Sequence, residues 1–318
     1  MLRLTRSFHS TGKVLQESAT ISQSRTQITS YLQYFQTSRE LRPLVYRKKN
    51  SSELLSRDLF NDVTKTRVVP LDPVALPPKS ALTHLIQEVS TVDELEAIKK
   101  EMLALSKKPQ YTTAEHLLAF LEKSSSLNKL PHALTYLYSQ RSLREISTAD
   151  NLNLILVYLY LNPHKTLEQK LQKAQIAMEK IRDVDSISLL LKSALFKQNG
   201  DQTSIPDELL TQLQTTTTQS IIPQLDLTKG PGSLAKQFSS HRAKYLQLKP
   251  IALELANVEE LANVQSLQDS LKFVKDYEEL TLKLNKSDQF DELKQLARFE
   301  TGKSRDSEEV AAAEEEAK

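Results

Sequence analysis

Residues 148–181 read TADNLNLILVYLYLNPHKTLEQKLQKAQIAMEKI, a run that predicts two helices joined by a short turn. The first helix keeps leucine and isoleucine on one face and ends at Asn162-Pro163, because proline cannot continue a helix. The second begins at a capping box formed by Thr166 and Gln169, in which a hydroxyl and an amide satisfy free backbone donors. This stretch therefore predicts a helical hairpin.

Similar helix starts recur along the chain at a regular interval. First helices of successive hairpins are predicted near residues 113, 148 and 183, and second helices near 131, 166 and 201, a step of about 35 residues. Paired helices with this period resemble tetratricopeptide and pentatricopeptide repeats, whose units bury their apolar faces by stacking. The resemblance covers roughly residues 80–213 and lies in period and capping alone, since the chain has no Trp for the tetratricopeptide motif. An ordinary bundle of helical hairpins stays open as the alternative.

Further helix starts are marked by hydroxyl side chains at candidate N-cap positions. They are two capping boxes, Thr91 with Glu94 and Thr112 with Glu115, and caps at Ser80, Ser204 and Ser233. The segment ahead of Ser233 is the only glycine cluster, and it matches neither a phosphate-binding loop nor a dinucleotide fingerprint. We interpret it as a linker.

Composition favours an all-α fold. The 318 residues include only 5 Gly, and leucine outnumbers the β-branched residues that favour strands. Charge is uneven, because residues 1–70 hold 12 Lys or Arg against 5 acids, whereas residues 250–318 hold 9 against 17. We therefore expect helical hairpins stacked in a solenoid-like or bundle array, with an extended basic N-terminal arm before it and a disordered acidic C-terminal tail after it.

The expected domain organisation follows from these composition shifts and from the Pro-rich connector before residue 80. The segments are a cleaved mitochondrial presequence at 1–15, the basic arm at 16–79, the hairpin array at 80–214, a linker at 215–232, C-terminal helices at 233–300 and the acidic tail at 301–318. The C-terminal helices have a leucine spacing that could dock a partner helix or fold back on the array.

The N-terminus has transit-peptide chemistry, with arginine, hydroxyl and apolar residues and no acid before Glu17. Around Arg6, Ser7 and Phe8 it resembles the two-step cleavage pattern of mitochondrial matrix presequences. The resemblance implies a first cut after Ser7 and a second after Leu15. A basic disordered tail is the alternative.

Two groups of basic residues are candidate RNA contacts, because cations displace phosphate counterions and aromatic rings stack on unpaired bases. The first group, in the arm, comprises Arg39, Arg42, Tyr46, Arg47, Lys48 and Lys49. The second group, after the linker, comprises Lys236, Arg242 and Lys244. In both cases a solvated charged surface is the alternative.

Several functions are disfavoured. Without Cys there are no disulfides, thiolate nucleophiles or thiolate metal sites, and the six His have no pair at the close spacing of ligands on one helix face. No general acid and base stand out, so we predict neither an enzyme nor a bound metal or cofactor. The most apolar run, 152–161, is too short to span a membrane and predicts a buried helix.

Three binding functions remain. The Arg-Ser-Phe-His-Ser-Thr leader, residues 6–11, resembles fungal mitochondrial presequences, and a basic arm, helical body and charged tail resemble the lineage-specific proteins of the fungal mitochondrial small ribosomal subunit. That resemblance implies a matrix protein that binds ribosomal RNA and ribosomal proteins. The alternatives are a pentatricopeptide-like factor for one transcript and a helical scaffold for assembly of an inner-membrane complex.

Overall fold

The computed structural model describes residues 7–60, 67–106, 111–127, 129–198, 204–215 and 222–294. The fold is all-α, as predicted, and divides into two compact units between Lys123 and Ser124. The first unit holds α1 (Ser7–Gln36), α2 (Arg42–Val45), α3 (Ser51–Ser56), α4 (Lys79–Glu88), α5 (Val92–Ser106) and most of α6 (Ala114–Ser126). The predicted acidic tail, 301–318, and Arg6 lie outside the described residues.

Within its described ranges the second unit has nine complete helices and a helical stretch at residues 289–294. The complete helices are α7 (Leu130–Ser139), α8 (Arg141–Glu145), α9 (Ala149–Leu161), α10 (Leu167–Lys180), α11 (Ser186–Lys197), α12 (Asp207–Thr215), α13 (Pro231–Ser240), α14 (Arg242–Leu255) and α15 (Gln265–Lys283). The helix starts at α6, α7, α9 and α10 agree with the predicted positions to within about a residue, whereas α11 and α12 begin three and six residues after the predicted 183 and 201. The short α8 between α7 and α9 was not predicted, and homology among the hairpins stays a prediction.

The basic arm is a folded part of the first unit, which corrects the expectation of an extended arm. α1 packs along α4 and touches α5, and it buries Ile28 and Tyr31. After α1 the chain makes a small core around Val45, Tyr46 and Leu54, against which apolar residues of the connector pack. The arm folds because its few large apolar side chains are spaced to meet one another, which a count of charges does not reveal.

The Pro-rich connector is extended, as predicted, over its described residues 67–78. It does not mark a boundary between units. Its backbone is bound to the arm, since the Val68 N–H donates to the Leu59 carbonyl and the Leu71 N–H donates to the Val45 carbonyl, both at 2.8 Å. The division at Lys123 falls inside the region predicted as one array, and the predicted domain limits stay predictions.

The core of the second unit lies around α9 and α11. Nine of the 13 residues of α9 and nine of the 12 residues of α11 are buried, because α10 packs against both helices and α14 also contacts both. The apolar run of α9 is therefore a buried helix, as predicted. Within the described ranges, no helix is long and apolar enough to cross a membrane.

The C-terminal helices fold back on this core. α14 contacts α9 and α11, and α15 packs mainly on α14, with smaller direct contacts to α11 and α13. Ring stacking joins them, with the centroids of Tyr245 and Tyr277 4.3 Å apart. Of the two predicted roles for these helices, the fold-back is confirmed.

Helix caps agree with the predictions in part. Thr91 and Glu94 form the predicted capping box, and Thr166 accepts from the Gln169 N–H. Three predicted caps are displaced, since Pro78 and not Ser80 precedes α4, Gly230 and not Ser233 precedes α13, and Pro206 and not Ser204 precedes α12. The second shift has a simple reason: Pro231 has the backbone angle and missing donor that suit a first helical position.

The predicted capping box of Thr112 with Glu115 is wrong. The Thr112 hydroxyl is buried without a hydrogen-bond partner in the described part of the chain. The cap of α6 uses His116, whose Nδ1 accepts from the Thr113 N–H at 3.0 Å while its Nε2 lies 2.9 Å from the Lys79 carbonyl. A carbonyl only accepts, so Nε2 carries the proton and the ring is neutral.

Protonation of His116 should destabilise the first unit at low pH. Burial lowers the pKa of His116 below its ordinary value of 6.5, so the unfolded chain binds the proton more readily. Its contribution is complete above pH 6.5 and declines as the pH falls toward the lowered pKa. We expect the first unit's melting temperature to fall between pH 7.5 and pH 5.5, and less so in His116→Gln. Equal slopes in melting curves of the two proteins would contradict this role.

Candidate nucleic-acid interface

Four of the predicted arm cations form an exposed basic surface. Arg39 lies in the turn after α1, Arg47 precedes the 3₁₀ turn of Lys48–Asn50, and Lys48 and Lys49 lie within that turn. Lys48 pairs with Asp72 at 3.2 Å, but both side chains are more than three-quarters exposed, and such a pair contributes little. We call Arg39, Arg47, Lys48 and Lys49 the arm surface.

Arg42 has a structural role that the sequence did not reveal. Its Nε donates to the Thr37 carbonyl at 2.9 Å and its Nη2 donates to the Phe35 carbonyl at 2.6 Å, which satisfies acceptors at the end of α1. The guanidinium also lies over the rings of Tyr34 and Phe35. Because these contacts occupy the guanidinium, Arg42 positions the loop that carries the arm surface.

Tyr46 does not present its ring for stacking on a base, which corrects the predicted role. Only 5 % of the residue is exposed, and its ring meets that of Tyr34 edge-on with the centroids 4.9 Å apart. It belongs to the small core with Val45 and Leu54. The ring is buried because the connector packs over it. Tyr46 therefore holds the backbone of the neighbouring cations in place.

The second predicted basic group is smaller than expected. Lys236 is exposed in the middle of α13, and Arg242 is exposed at the first position of α14. Lys244 is not free, because its Nζ pairs with Asp150 at 2.8 Å and so ties α14 to the first turn of α9. The second basic group is therefore reduced to two cations, Lys236 and Arg242, both in the second unit.

The structure also gathers four basic residues that sequence reasoning did not group. Arg141 and Arg144 of α8 line a cavity together with Lys180 and Arg182, which lie at and just after the end of α10. The two pairs are more than 35 positions apart in the chain, so no local pattern joins them. No group of three or more His, Asp or Glu residues that could hold a metal ion lies within the described ranges.

Comparison with known proteins adds one finding. Residues 4–88 match the family model of the MRP13-like N-terminal domain, which belongs to a mitochondrial ribosomal protein family. The matched range includes α1, the whole arm surface, the small core around Tyr46 and α4. No curated protein shows a significant match to the chain. This family match supports the interpretation that the chain is a mitochondrial ribosomal protein.

Proposed function

We propose that this protein is a structural component of the small subunit of the mitochondrial ribosome, of the type added in fungal lineages. The match of residues 4–88 to the MRP13-like N-terminal domain is the observation that carries the proposal. In this function the protein resides in the matrix, binds ribosomal RNA and neighbouring ribosomal proteins, and supports mitochondrial translation without catalysis. Import would use the presequence around Arg6, Ser7, Phe8 and Leu15.

The arm surface is the proposed RNA contact. Its four cations are exposed, and the one acid among residues 39–49 is Glu40. When Lys or Arg side chains neutralise RNA phosphates, the counterions condensed on the RNA are released. This release supplies much of the binding affinity. The backbone that carries these cations is fixed by Arg42 and by the buried Tyr46, so little ordering is required on binding.

The transcript-specific alternative is less well supported by the fold. Pentatricopeptide proteins read bases with polar side chains at fixed positions of successive repeats. Here about three-quarters of the residues of α9 and α11 are buried and both helices contact α14, so neither offers an open polar row. No described feature favours the assembly-factor alternative over the ribosomal one.

Ultraviolet crosslinking in intact mitochondria separates the two RNA-binding functions. After denaturing purification of the mature protein, we expect crosslinked RNA to be dominated by small-subunit ribosomal RNA, with crosslinked peptides from the segment 39–49. A different result, in which one messenger RNA is enriched over ribosomal RNA, would favour the transcript-specific function. A variant with the arm surface changed to glutamine should lose these crosslinked peptides while its other peptides stay detectable.

A further inference from the structure

A basic cavity of about 650 Å³ lies in the second unit, where α8 meets the end of α10. Its cations are Arg141, Arg144, Lys180 and Arg182, and its acids are Glu145, Glu179 and Asp183. Four cations against three acids leave the lining with a formal net charge of only +1. Their hydrogen bonds show, however, that the acids are engaged in the fold to a greater extent than the cations.

Two of the acids have defined partners within the second unit. Glu145 accepts from the Nε of Arg141 at 2.7 Å, one turn away on α8. Asp183 accepts from the Ala149 N–H at 3.0 Å, and so satisfies a free donor at the start of α9. A third acid, Glu179, accepts from the Gln175 amide one turn earlier on α10.

The remaining cations have no such partners. None of Arg144, Lys180 and Arg182 forms an ion pair with a described residue. The Nε of Arg144 is moreover shielded from solvent and makes no hydrogen bond to any described group. A charged donor without a partner is unfavourable. Because solvent does not reach this Nε, an anion in the cavity would meet the two Nη nitrogens of Arg144, which can grip it together.

We infer that this cavity binds a phosphate group of an RNA strand, gripped by Arg144 and Arg182 with Lys180 beside them. The volume exceeds that of one phosphate and leaves room for the attached nucleotide. The three carboxylates repel any anion, a phosphate as well as an acidic side chain, but their oxygens can also accept from a ribose 2′-hydroxyl or a base amino group, donors that an acidic side chain lacks. This chemistry favours RNA over an acidic protein segment.

The identity of that RNA as ribosomal rests on the proposed function, while the phosphate contact itself does not. The cavity belongs to the second unit and the arm surface to the first, so each can be altered separately. The sequence 39–49 lies within the family match and the cavity residues lie outside it. Failure of one site is therefore distinguishable from failure of the other.

The test is the salt dependence of RNA binding by the full chain, with a fluorescent single-stranded RNA of mixed sequence as the probe. Arg144→Gln combined with Arg182→Gln should lower the log-log salt slope by about 0.7, the loss of one phosphate contact to a single strand. The matched control combines Lys229→Gln with Lys283→Gln, exposed cations of the same unit, and should leave the slope unchanged. An unchanged slope in the folded double variant would overturn the inference.

Two further measurements guard against a misfolded variant and identify the ligand class. RNA should slow the modification of Arg144 and Arg182 by a guanidinium-specific dicarbonyl in the unaltered protein, and no protection at either residue would overturn the inference. Polyglutamate of matched charge should not protect them, and equal protection would indicate an acidic protein partner instead. If the double variant keeps the unaltered salt slope while the unaltered protein co-sediments with the small subunit, only the phosphate contact in the cavity is rejected. If the unaltered protein does not co-sediment with the small subunit, the ribosomal function is rejected.

Discussion

Reversal of the arm surface, by Arg39→Glu, Arg47→Glu, Lys48→Glu and Lys49→Glu, is expected to release the protein from the small subunit at moderate salt. All four residues are exposed, so each reversal removes a cation without removing a buried contact. If each contacts one phosphate, the loss lowers the log-log salt slope by roughly 3 in total, since each contact contributes about 0.7 to 0.9. Salt titration of purified subunits, followed by pelleting and quantification, measures this slope.

A matched control separates local contacts from net charge. Lys229, Lys272, Lys275 and Lys283 are exposed residues of the second unit, and their reversal to Glu changes the net charge by the same amount. We expect the control to stay bound at salt concentrations that release the arm variant. Equal retention of both variants would remove the arm surface as the RNA contact.

Arg42 should behave differently from the four exposed cations. Its guanidinium bonds two carbonyls at the end of α1, so Arg42→Ala leaves these acceptors without their charged donor. We expect it to reduce the stability of the first unit by about 1 to 3 kcal/mol, with little change in the salt slope of the protein that remains folded. The distinction matters, because inclusion of Arg42 in a charge-reversal set would confuse unfolding with loss of RNA contact.

Asp185→Ala is expected to cause the largest loss of stability, about 3 kcal/mol in the second unit. The Asp185 carboxylate caps α11, where its Oδ1 accepts from the Ser188 N–H at 2.8 Å and from the Ser188 hydroxyl at 2.9 Å. The same hydroxyl lies 2.7 Å from the Oδ1 of Asn153, so the cap of α11 is tied to the middle of α9. All three residues are buried, and alanine leaves a buried backbone donor unpaired.

Chemical denaturation followed by hydrogen exchange of α9 and α11 measures this loss separately from the first unit. Asp207→Ala is the control, because Asp207 also lies at a helix start but is exposed, and its replacement should change stability by less than about 0.5 kcal/mol. Asp185→Asn keeps an acceptor and should lose less than alanine does. If Asp185→Ala were as stable as the control, the buried network would not hold α9 to α11.

The sequence predicts several helix starts in this protein, because caps and prolines act locally. Thr166 and Pro163 set the limits of a hairpin by hydrogen bonds and ring geometry within a few residues of themselves. The ring of His116 shows the limit of this reasoning. It displaces Glu115 as the partner in the α6 cap because its second nitrogen reaches the carbonyl of Lys79, which no local motif reports.

The candidate site was predictable only as a set of charges. A pattern of Arg, Lys and Tyr at 39–49 does not distinguish Arg42, which bonds carbonyls of α1, from Arg47, which is exposed. That distinction depends on how the chain turns back on the end of α1, which brings the Arg42 guanidinium onto the Thr37 and Phe35 carbonyls. In the same way, the guanidinium of Arg144 acquires a role only because α8 lies beside the end of α10 in the fold.

The most direct measurement of the central claim is a sucrose gradient of gently lysed mitochondria, run with magnesium and again after chelation. The mature protein is quantified in each fraction against a known protein of the small subunit. The ribosomal function predicts a constant ratio of the two proteins in whole ribosomes and in the free small subunit. Migration near the top of the gradient, or with a membrane complex, would contradict it.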